Sequence, residues 1–185
     1  MDETAAASGG APGAAGGQAP ERKPAELKVL VAVDASDESL HALSWALDNI
    51  VRPRPGAALV VVHAQHAVEH LAYPLAAHGT RIGYVPPAVV ESMRKAQADN
   101  SRKVVARALG ICKAKQVDAT AAVVEGDAKE AICQAAEDMQ AGLLVLGSRG
   151  LGRIKRAFLG SVSDYLVHQA SCPVLVVKPP KAHAK

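Results

Sequence analysis

The sequence predicts one open, doubly wound α/β domain, in which a five-stranded parallel sheet carries helices on both faces. Apolar residues make up 49% of the 185 residues but aromatic residues only 3%, so the core must be built from Val, Leu, Ile and Ala. Such side chains suit buried parallel strands flanked by Ala-rich helices. Strand and helix patterns then alternate five times along the chain, which favours a parallel sheet with right-handed crossovers.

The first strand and helix are clearly marked. From Lys28 the chain reads KVLVAVD, a short β-branched run typical of a strand that is buried on both faces. Apolar residues recur at helical spacing over 40–50, and Ser36 or Asp37 can cap that helix. The Pro- and Gly-containing stretch 52–56 ends it.

The remaining elements follow in the same alternation. A second strand is predicted at 58–64, then an irregular loop over 65–87 and a helix from 88 to about 115, whose continuity at Gly110 stays open. Asp127 with Glu130 has the form of a capping box that opens the next helix. Further strands are predicted at 117–124, 142–146 and 174–177, and further helices at 127–139 and from 161 to about 170.

The predicted domain covers 26–179, between a disordered Ala/Gly/Pro-rich tail at 1–25 and a short basic tail at 180–185. The first tail has almost no large apolar side chain, so burial cannot offset the entropy of ordering it. No run of about 20 apolar residues exists, which excludes a membrane-spanning helix. Three widely spaced cysteines fit no disulfide framework and indicate a reducing compartment. We therefore expect a cytoplasmic protein, with the nucleus not excluded.

The predicted ligand site lies at the carboxyl ends of the strands, where open α/β sheets bind ligands. Asp34 follows strand one, where it can bond a ribose hydroxyl or a base amine, or simply cap the helix. His63 and Ala64 end strand two. After strand four comes GSRGLGRIKRAFLGSVSDYL, which is rich in glycine and opens a helix.

This glycine segment predicts an anion site. Gly147 and Gly150 permit a close approach of the main chain, and the free N–H groups at Val162 and Ser163 favour a phosphate. Ser161 with Asp164 also has the form of a capping box, so Ser161 can cap the helix and still donate to a phosphate; Asp164 is then expected to point away. Neither G-x-x-x-x-G-K-[ST] nor G-x-G-x-x-G is present.

Four basic residues crowd the same loop and predict contact of at least one with phosphate: Arg149, Arg153, Lys155 and Arg156. The alternatives are a solvated basic face or a nucleic-acid contact. The net charge is only +3 and no aromatic residue is interleaved among the four, so nucleic acid is not favoured as a partner.

Gly147-x2-Gly150-x9-Gly160-Ser161 resembles the nucleotide motif of the universal stress protein family, in its ATP-binding branch. KVLVAVDASDES is similar to the family's first strand and loop, VVVHA to its second strand, and LVLGSRGLGRIKRAFLGSVSDYLVHQASCPVLVVK to its C-terminal third, with wording most like plant members. Ala64 departs from the Val that is common in the family. The 65–87 loop and the N-terminal tail lie outside the resemblance.

The resemblance implies a sheet in order 3-2-1-4-5, of the adenine-nucleotide alpha-hydrolase-like type, and a homodimer formed through the strand Val174–Val177. It also implies bound ATP or AMP, with magnesium as an optional companion. The main chain of Ala64 would read the adenine edge. The other implied positions are Ala32, Val33 and Asp34 at the nucleoside end, and Gly147, Arg149, Gly150, Gly160, Ser161, Val162 and Ser163 around ribose and phosphates.

The leading hypothesis is an adenine-nucleotide-binding stress-response protein that acts as a homodimeric switch or chaperone-like factor. A weak ATP hydrolase or phosphotransferase is an alternative, although no conspicuous carboxylate pair for magnesium accompanies the glycines. A nucleotide-free interaction module of the same fold is another.

Histidines and cysteines raise two minor hypotheses. A metal site is conceivable from four histidines, but their Pro- and Gly-rich surroundings favour plain loop residues: His63, His66, His70 and His78. Cys112 and Cys133 are expected to be small core residues, and redox sensing is the alternative hypothesis. Cys172 is expected to be more accessible.

Overall fold

The computed structural model describes residues 27–67, 86–150 and 159–180. Five strands are present there: β1 Lys28–Ala32, β2 Ala58–Gln65, β3 Thr120–Glu125, β4 Leu143–Gly147 and β5 Val174–Val177. They form one parallel sheet in the order β3-β2-β1-β4-β5. The predicted fold class and strand order are therefore confirmed.

Helices cover both faces of this sheet. They are α1 Asp37–Ala46, which continues as a π-helical turn over Leu47–Val51, then α2 Pro87–Ala114, α3 Ala128–Asp138 and α4 Ser161–Gln169. Apolar residues of α1 and α2 pack on one face of the sheet, and those of α3 and α4 pack on the other. Each crossover helix thus carries the chain back to the amino end of the sheet, so that all five strands run the same way and their carboxyl ends lie together.

The central strand β1 shows why its sequence is apolar without alternation. Val29 and Val31 face α1 and α2, whereas Leu30 faces α3 and α4, and all three are fully buried. Successive side chains of a strand point to opposite faces, and here both faces are covered. Burial on both faces therefore fixes β1 in the centre of the sheet, and with it the position of Val33 and Asp34, which follow the strand.

Two helix starts follow the capping chemistry of their sequences. The Ser36 side chain caps α1 by accepting from the Ser39 amide at 3.2 Å. Asp127 caps α3 by accepting from the Lys129 amide at 3.1 Å. Both helices therefore begin where strand-to-helix loops need them, close to the carboxyl edge of the sheet.

The third strand begins later than predicted. It was expected at 117–124 but starts at Thr120, because the Val117 amide donates to the Cys112 carbonyl at 3.0 Å and so belongs to the turn that follows α2. Gln116 takes a positive φ of 57° in this turn. Gly110 does not interrupt α2, which runs as one helix of 28 residues.

Some predicted segments lie outside the described residues. They are the tail 1–25, most of the 65–87 loop and nearly all of the tail 180–185. Among the helices that the structure describes, none combines the length and the apolar character needed to cross a membrane.

Candidate functional site

A cavity of about 580 Å³ opens at the carboxyl ends of β1, β2 and β4. It is bounded by the start of α4 on one side and by the middle of α2 on the other. All eleven residues that the sequence singled out line it: Ala32, Val33, Asp34, Ala64, Gly147, Arg149, Gly150, Gly160, Ser161, Val162 and Ser163. The geometry brings these residues together, and their ligand roles stay predictions.

Asp34 is held by the loop that starts α1. Its Oδ1 accepts from the Ser36 amide at 3.0 Å and from the Ser36 hydroxyl. Its own amide donates to Ser39 Oγ at 3.1 Å. Ser36, rather than Asp34, caps the helix, and Asp34 in turn orients the cap. The second oxygen, Oδ2, lies toward Gly150, so the carboxylate reaches across the cavity floor.

The first two glycines of the motif are required by close contacts within the protein. A Cβ at Gly147 would lie 3.0 Å from the Glu38 backbone and 3.2 Å from the Arg149 carbonyl oxygen. A Cβ at Gly150 would lie 2.5 Å from Asp34 Oδ2. A side chain at Gly147 would therefore push on the backbone of Glu38 and Arg149, and one at Gly150 would displace the Asp34 carboxylate, so glycine suits the close approach of this loop.

The start of α4 differs from the predicted capping box. Gly160 is the N-cap, with φ −68° and ψ 159°, and Ser161 is the first helical residue and makes no side-chain cap. The hydroxyl that fixes this turn is that of Ser163, which lies 2.9 Å from the Gly160 carbonyl oxygen and 3.1 Å from that of Ser148. Asp164 is exposed and does not line the cavity, as expected.

Without a side-chain cap, the first amides of α4 stay unpaired. No group among residues 27–67, 86–150 and 159–180 accepts from the N–H groups of Ser161, Val162 or Ser163. The Gly160 amide donates to the Ser148 carbonyl at 2.9 Å, which ties the helix start to the end of β4. Three adjacent donors at the positive end of a nine-residue helix therefore line the cavity and suit an anion.

The backbone N–H and C=O groups of Ala64 also face the cavity, because β2 extends beyond the end of its neighbour β1. Val33 N donates to Val62 O at 2.8 Å, so even-numbered residues of β2 direct their amides and carbonyls toward β1. The next such residue is Ala64, but β1 has ended, and the Val33 carbonyl instead bonds His63 Nδ1 at 2.9 Å. The donor and acceptor of Ala64 therefore point at the gap beside β1, with no partner among the residues described.

The polar residues of α2 that form one wall of the cavity were not predicted from the sequence. Gln97, Asn100 and Ser101 line the cavity, together with Gln65 at the end of β2. Positions 97, 100 and 101 share one helix face at a spacing of three and four residues, and all three are polar. That pattern was a usable signal, since a face turned to the sheet is otherwise apolar, as Val104 and Ala108 are.

A metal site gains no support from the described residues. No group of three or more His, Cys, Asp or Glu side chains suited to a metal occurs among them. His63 is buried in β2 rather than in a loop, and His66 follows the end of that strand, whereas His70 and His78 fall outside the described ranges. Of the basic cluster, Arg149 lines the cavity; the other three members lie outside these ranges.

The cysteines lie away from the cavity. Cys112 is 1% exposed in α2, as expected for a core residue, while Cys133 is partly exposed where it packs against the core. Cys172 is partly exposed as well. Burial raises the pKa of both the Cys112 and Cys172 thiols, so the reactive thiolate is disfavoured at both positions.

The model of the universal stress protein family matches residues 27–178. This range includes every described element and the whole cavity. The chain belongs to the universal stress protein family. The resemblance carried by the glycine segment and the first strand is thus confirmed at the level of the family.

Universal stress proteins from distant organisms resemble this one over most of its length. One from Thermus aquaticus is 34% identical over 150 residues, covering 81% of this chain and 97% of its own length. Universal stress protein PHOS34 of Arabidopsis thaliana is 34% identical over 166 residues. The match covers 84% of this chain but only 63% of that longer relative. A crystal structure of an Arabidopsis thaliana universal stress protein with AMP bound is 25% identical, with a TM-score of 0.58 over 84% of this chain and 93% of its own.

Proposed function

We propose that this universal stress protein binds an adenine nucleotide, AMP or ATP, in the cavity at the carboxyl edge of its sheet. The observation that carries the proposal is the start of α4, where three amides with no partner among the described residues line a cavity beside a glycine loop. The AMP bound to the Arabidopsis thaliana relative supports the same ligand class.

The phosphate end of the ligand is assigned to the start of α4. Ser161, Val162 and Ser163 offer backbone donors and a positive helix end, which together favour a phosphate group. Gly147 and Gly150 keep side chains out of the approach, and Arg149 adds a positive charge to the same wall. Magnesium would reach ATP mainly through the phosphate oxygens, because Asp34 is the only carboxylate among the described lining residues.

The nucleoside end is assigned to the ends of β1 and β2. The donor and acceptor of Ala64, which have no partner in the described part of the chain, can bond the edge of a base that carries both an acceptor nitrogen and an amine, as adenine does. Asp34 Oδ2 is placed to accept from a ribose hydroxyl. A volume of about 580 Å³ lies within the usual range of small-molecule sites, about 300–1,000 Å³.

Calorimetric titration of AMP and ATP into nucleotide-free protein tests this assignment through Gly160. Valine at this position keeps an ordinary backbone conformation but puts a branched side chain beside the phosphate donors. We expect Gly160→Val to weaken AMP binding at least about tenfold, or about 1.4 kcal/mol. The matched control is Gly110→Val on the exposed side of α2, where a Cβ meets nothing within 4 Å. Equal affinity of both variants and the parent would move the phosphate site elsewhere.

We infer further that the nucleotide acts on a homodimer, as a switch or chaperone-like factor in a stress response. The supporting observation is β5, an apolar strand at the end of the sheet. An apolar edge strand is an aggregation hazard unless it is covered, and pairing with a second copy covers it. Slow ATP hydrolysis stays the alternative, with Asp34 as its nearest carboxylate. The cytoplasm likewise stays the predicted compartment.

A further inference from the structure

The hydrogen-bond ladder between β1 and β2 departs from the regular parallel pattern at its last bond. Ala32 lies opposite Val62, and the Val33 amide donates to the Val62 carbonyl at 2.8 Å. In a regular parallel ladder the carbonyl of Val33 would then accept from the amide two positions further along β2, which is that of Ala64. That bond is not formed, and the Ala64 amide has no partner in the described part of the chain.

The side chain of His63 takes the acceptor that Ala64 leaves. Its Nδ1 lies 2.9 Å from the Val33 carbonyl oxygen. A carbonyl oxygen only accepts, so Nδ1 carries the proton and donates it to this bond. The imidazole is buried, with 6% of the residue exposed, and the Val33 carbonyl is therefore satisfied by a side chain instead of by the main chain of β2.

The imidazole reaches this carbonyl from one face of the sheet. Val61 packs against α1 and α2, whereas Val62 packs against α3 and α4, so the alternation of the strand places the His63 side chain on the face of α1 and α2. The Ala64 N–H lies instead in the plane of the sheet and points at the gap beyond the end of β1. His63 and Ala64 both line the cavity.

We propose that His63 is a positioning residue for the base of the nucleotide. By holding the Val33 carbonyl, it stops the β1–β2 ladder from closing by one more bond and keeps the Ala64 N–H available. This inference rests on the proposed function, in which the base lies at Ala64. The Ala64 amide then donates to a ring nitrogen of the base, while the Ala64 carbonyl accepts from the adjacent amine. Binding breaks no bond within the protein, so the site is preorganised.

Hydrogen exchange of the Ala64 amide in nucleotide-free protein tests the first step. Leucine at position 63 fills the space but offers no donor, so the buried Val33 carbonyl needs another one, and the ladder supplies the Ala64 N–H. We expect His63→Leu to slow the exchange of this amide at least about tenfold, as one added hydrogen bond would. A substitution that merely loosened the strand would speed it.

Calorimetric titration of AMP tests the second step. We expect His63→Leu to bind about tenfold more weakly than the parent, because the base must displace the new bond between Ala64 and Val33. His63→Asn restores a side-chain N–H donor and should keep the parental affinity and the fast exchange. His168→Leu is the matched control: it removes a bond of 2.8 Å to the Asp164 carbonyl from an exposed histidine outside the cavity, and should change neither measurement.

The outcomes separate this inference from the proposed function. If the parent binds AMP but the Ala64 amide of His63→Leu exchanges as fast as before or faster, the inference is wrong while the nucleotide site stands. An equal loss of affinity in His63→Asn and His63→Leu also overturns it. If the parent binds neither AMP nor ATP, the proposed function fails and the inference with it. If His63→Leu does not fold by circular dichroism, His63→Val replaces it in both measurements, since valine already fills positions 60–62 of this strand.

Discussion

The three glycines of the motif differ in how much space a side chain would have at each position. At Gly147 the backbone of α1 leaves no room for a side chain, and at Gly150 the Asp34 carboxylate occupies that room. At Gly160 the nearest atoms to a Cβ would lie 3.5–3.6 Å away, which is ordinary contact. The first two glycines thus avoid close contacts within the protein, whereas Gly160 leaves space that a ligand can use.

Gly147→Ala and Gly160→Ala should consequently differ in stability. The first forces the backbone of Glu38 and Arg149 to move, and overpacking of this kind costs about 1–3 kcal/mol. The second should stay within about 0.5 kcal/mol of the parent, because its φ of −68° suits alanine. Urea unfolding of the two variants checks this. Equal losses of unfolding free energy would show that Gly147 is not sterically required.

The sequence predicted which residues gather in the cavity, but it did not predict which atoms are left unpaired there. Ser161 has the sequence form of a capping residue, yet Gly160 caps the helix and the Ser163 hydroxyl fixes the turn. Likewise, Gln97 Oε1 is buried with no partner among the described residues, and the sequence does not reveal this because the state depends on the surrounding fold. Such hydrogen-bond pairings are tertiary facts.

A polar contact joins the carboxyl-terminal ends of α1 and α2, at the end of the sheet opposite to the cavity. Asp48, in the turn after α1, accepts from Lys115 at the end of α2 and from Arg52 at 3.4 Å. The hydrogen bond from Lys115 is the main cause that lowers the pKa of Asp48 from its ordinary 3.8. The contact connects the ends of the two helices that pack on the same face of the sheet.

The pH dependence of stability should reveal this contact. A depressed pKa in the folded state stabilises the protein above the unfolded value, about 3.9, and the contribution is lost as the pH falls through the folded value. We expect Asp48→Asn to lower the free energy of unfolding at about pH 7 and to match the parent at about pH 2. Urea unfolding across this range is the measurement, with the exposed Asp118→Asn as control. A pH-independent difference would contradict the account.

The limits of the sequence reading at this scale are visible in β3 and α2. A run of small and β-branched residues from position 117 predicts a strand, but the bond from the Val117 amide to the Cys112 carbonyl holds the chain in the turn after α2, so the strand starts only at Thr120. Gly110 weakens a helix locally, yet the packing of Ala108 and Cys112 on the sheet holds α2 continuous. Tertiary burial decides both boundaries, while the type and order of the elements follow from hydrophobic pattern alone.

At the scale of the whole molecule, the two edges of the sheet differ in what they offer a second copy. Ser148 N donates to Val177 O, so odd-numbered residues of β5 face β4 and the amide of Val176 points outward. On the opposite edge, Gly126 N donates to Gln65 O, so the amide of Val123 in β3 points outward. Both edges therefore present donors that no described residue pairs with, but β5 is wholly apolar whereas β3 ends in Glu125.

Proline at these two outward amides distinguishes the edges. It removes one edge donor without breaking the bonds to the neighbouring strand. We expect the parent and Val123→Pro to be dimers by light scattering after size exclusion, and Val176→Pro to be a monomer at the same concentration. A monomer for Val123→Pro with a dimer for Val176→Pro would assign the interface to β3 instead.

The proposed nucleotide would lie across the carboxyl ends of the strands, with its base at Ala64 and its phosphate at the start of α4. Titration of AMP into ¹⁵N-labelled, nucleotide-free protein, followed by amide chemical shifts, tests it most directly. We predict that the signals of Ala64, Ser161, Val162 and Ser163 shift together and saturate with one binding curve, while Val123 on the far edge stays unmoved. Unchanged signals at Ala64 and at the start of α4 would contradict the account.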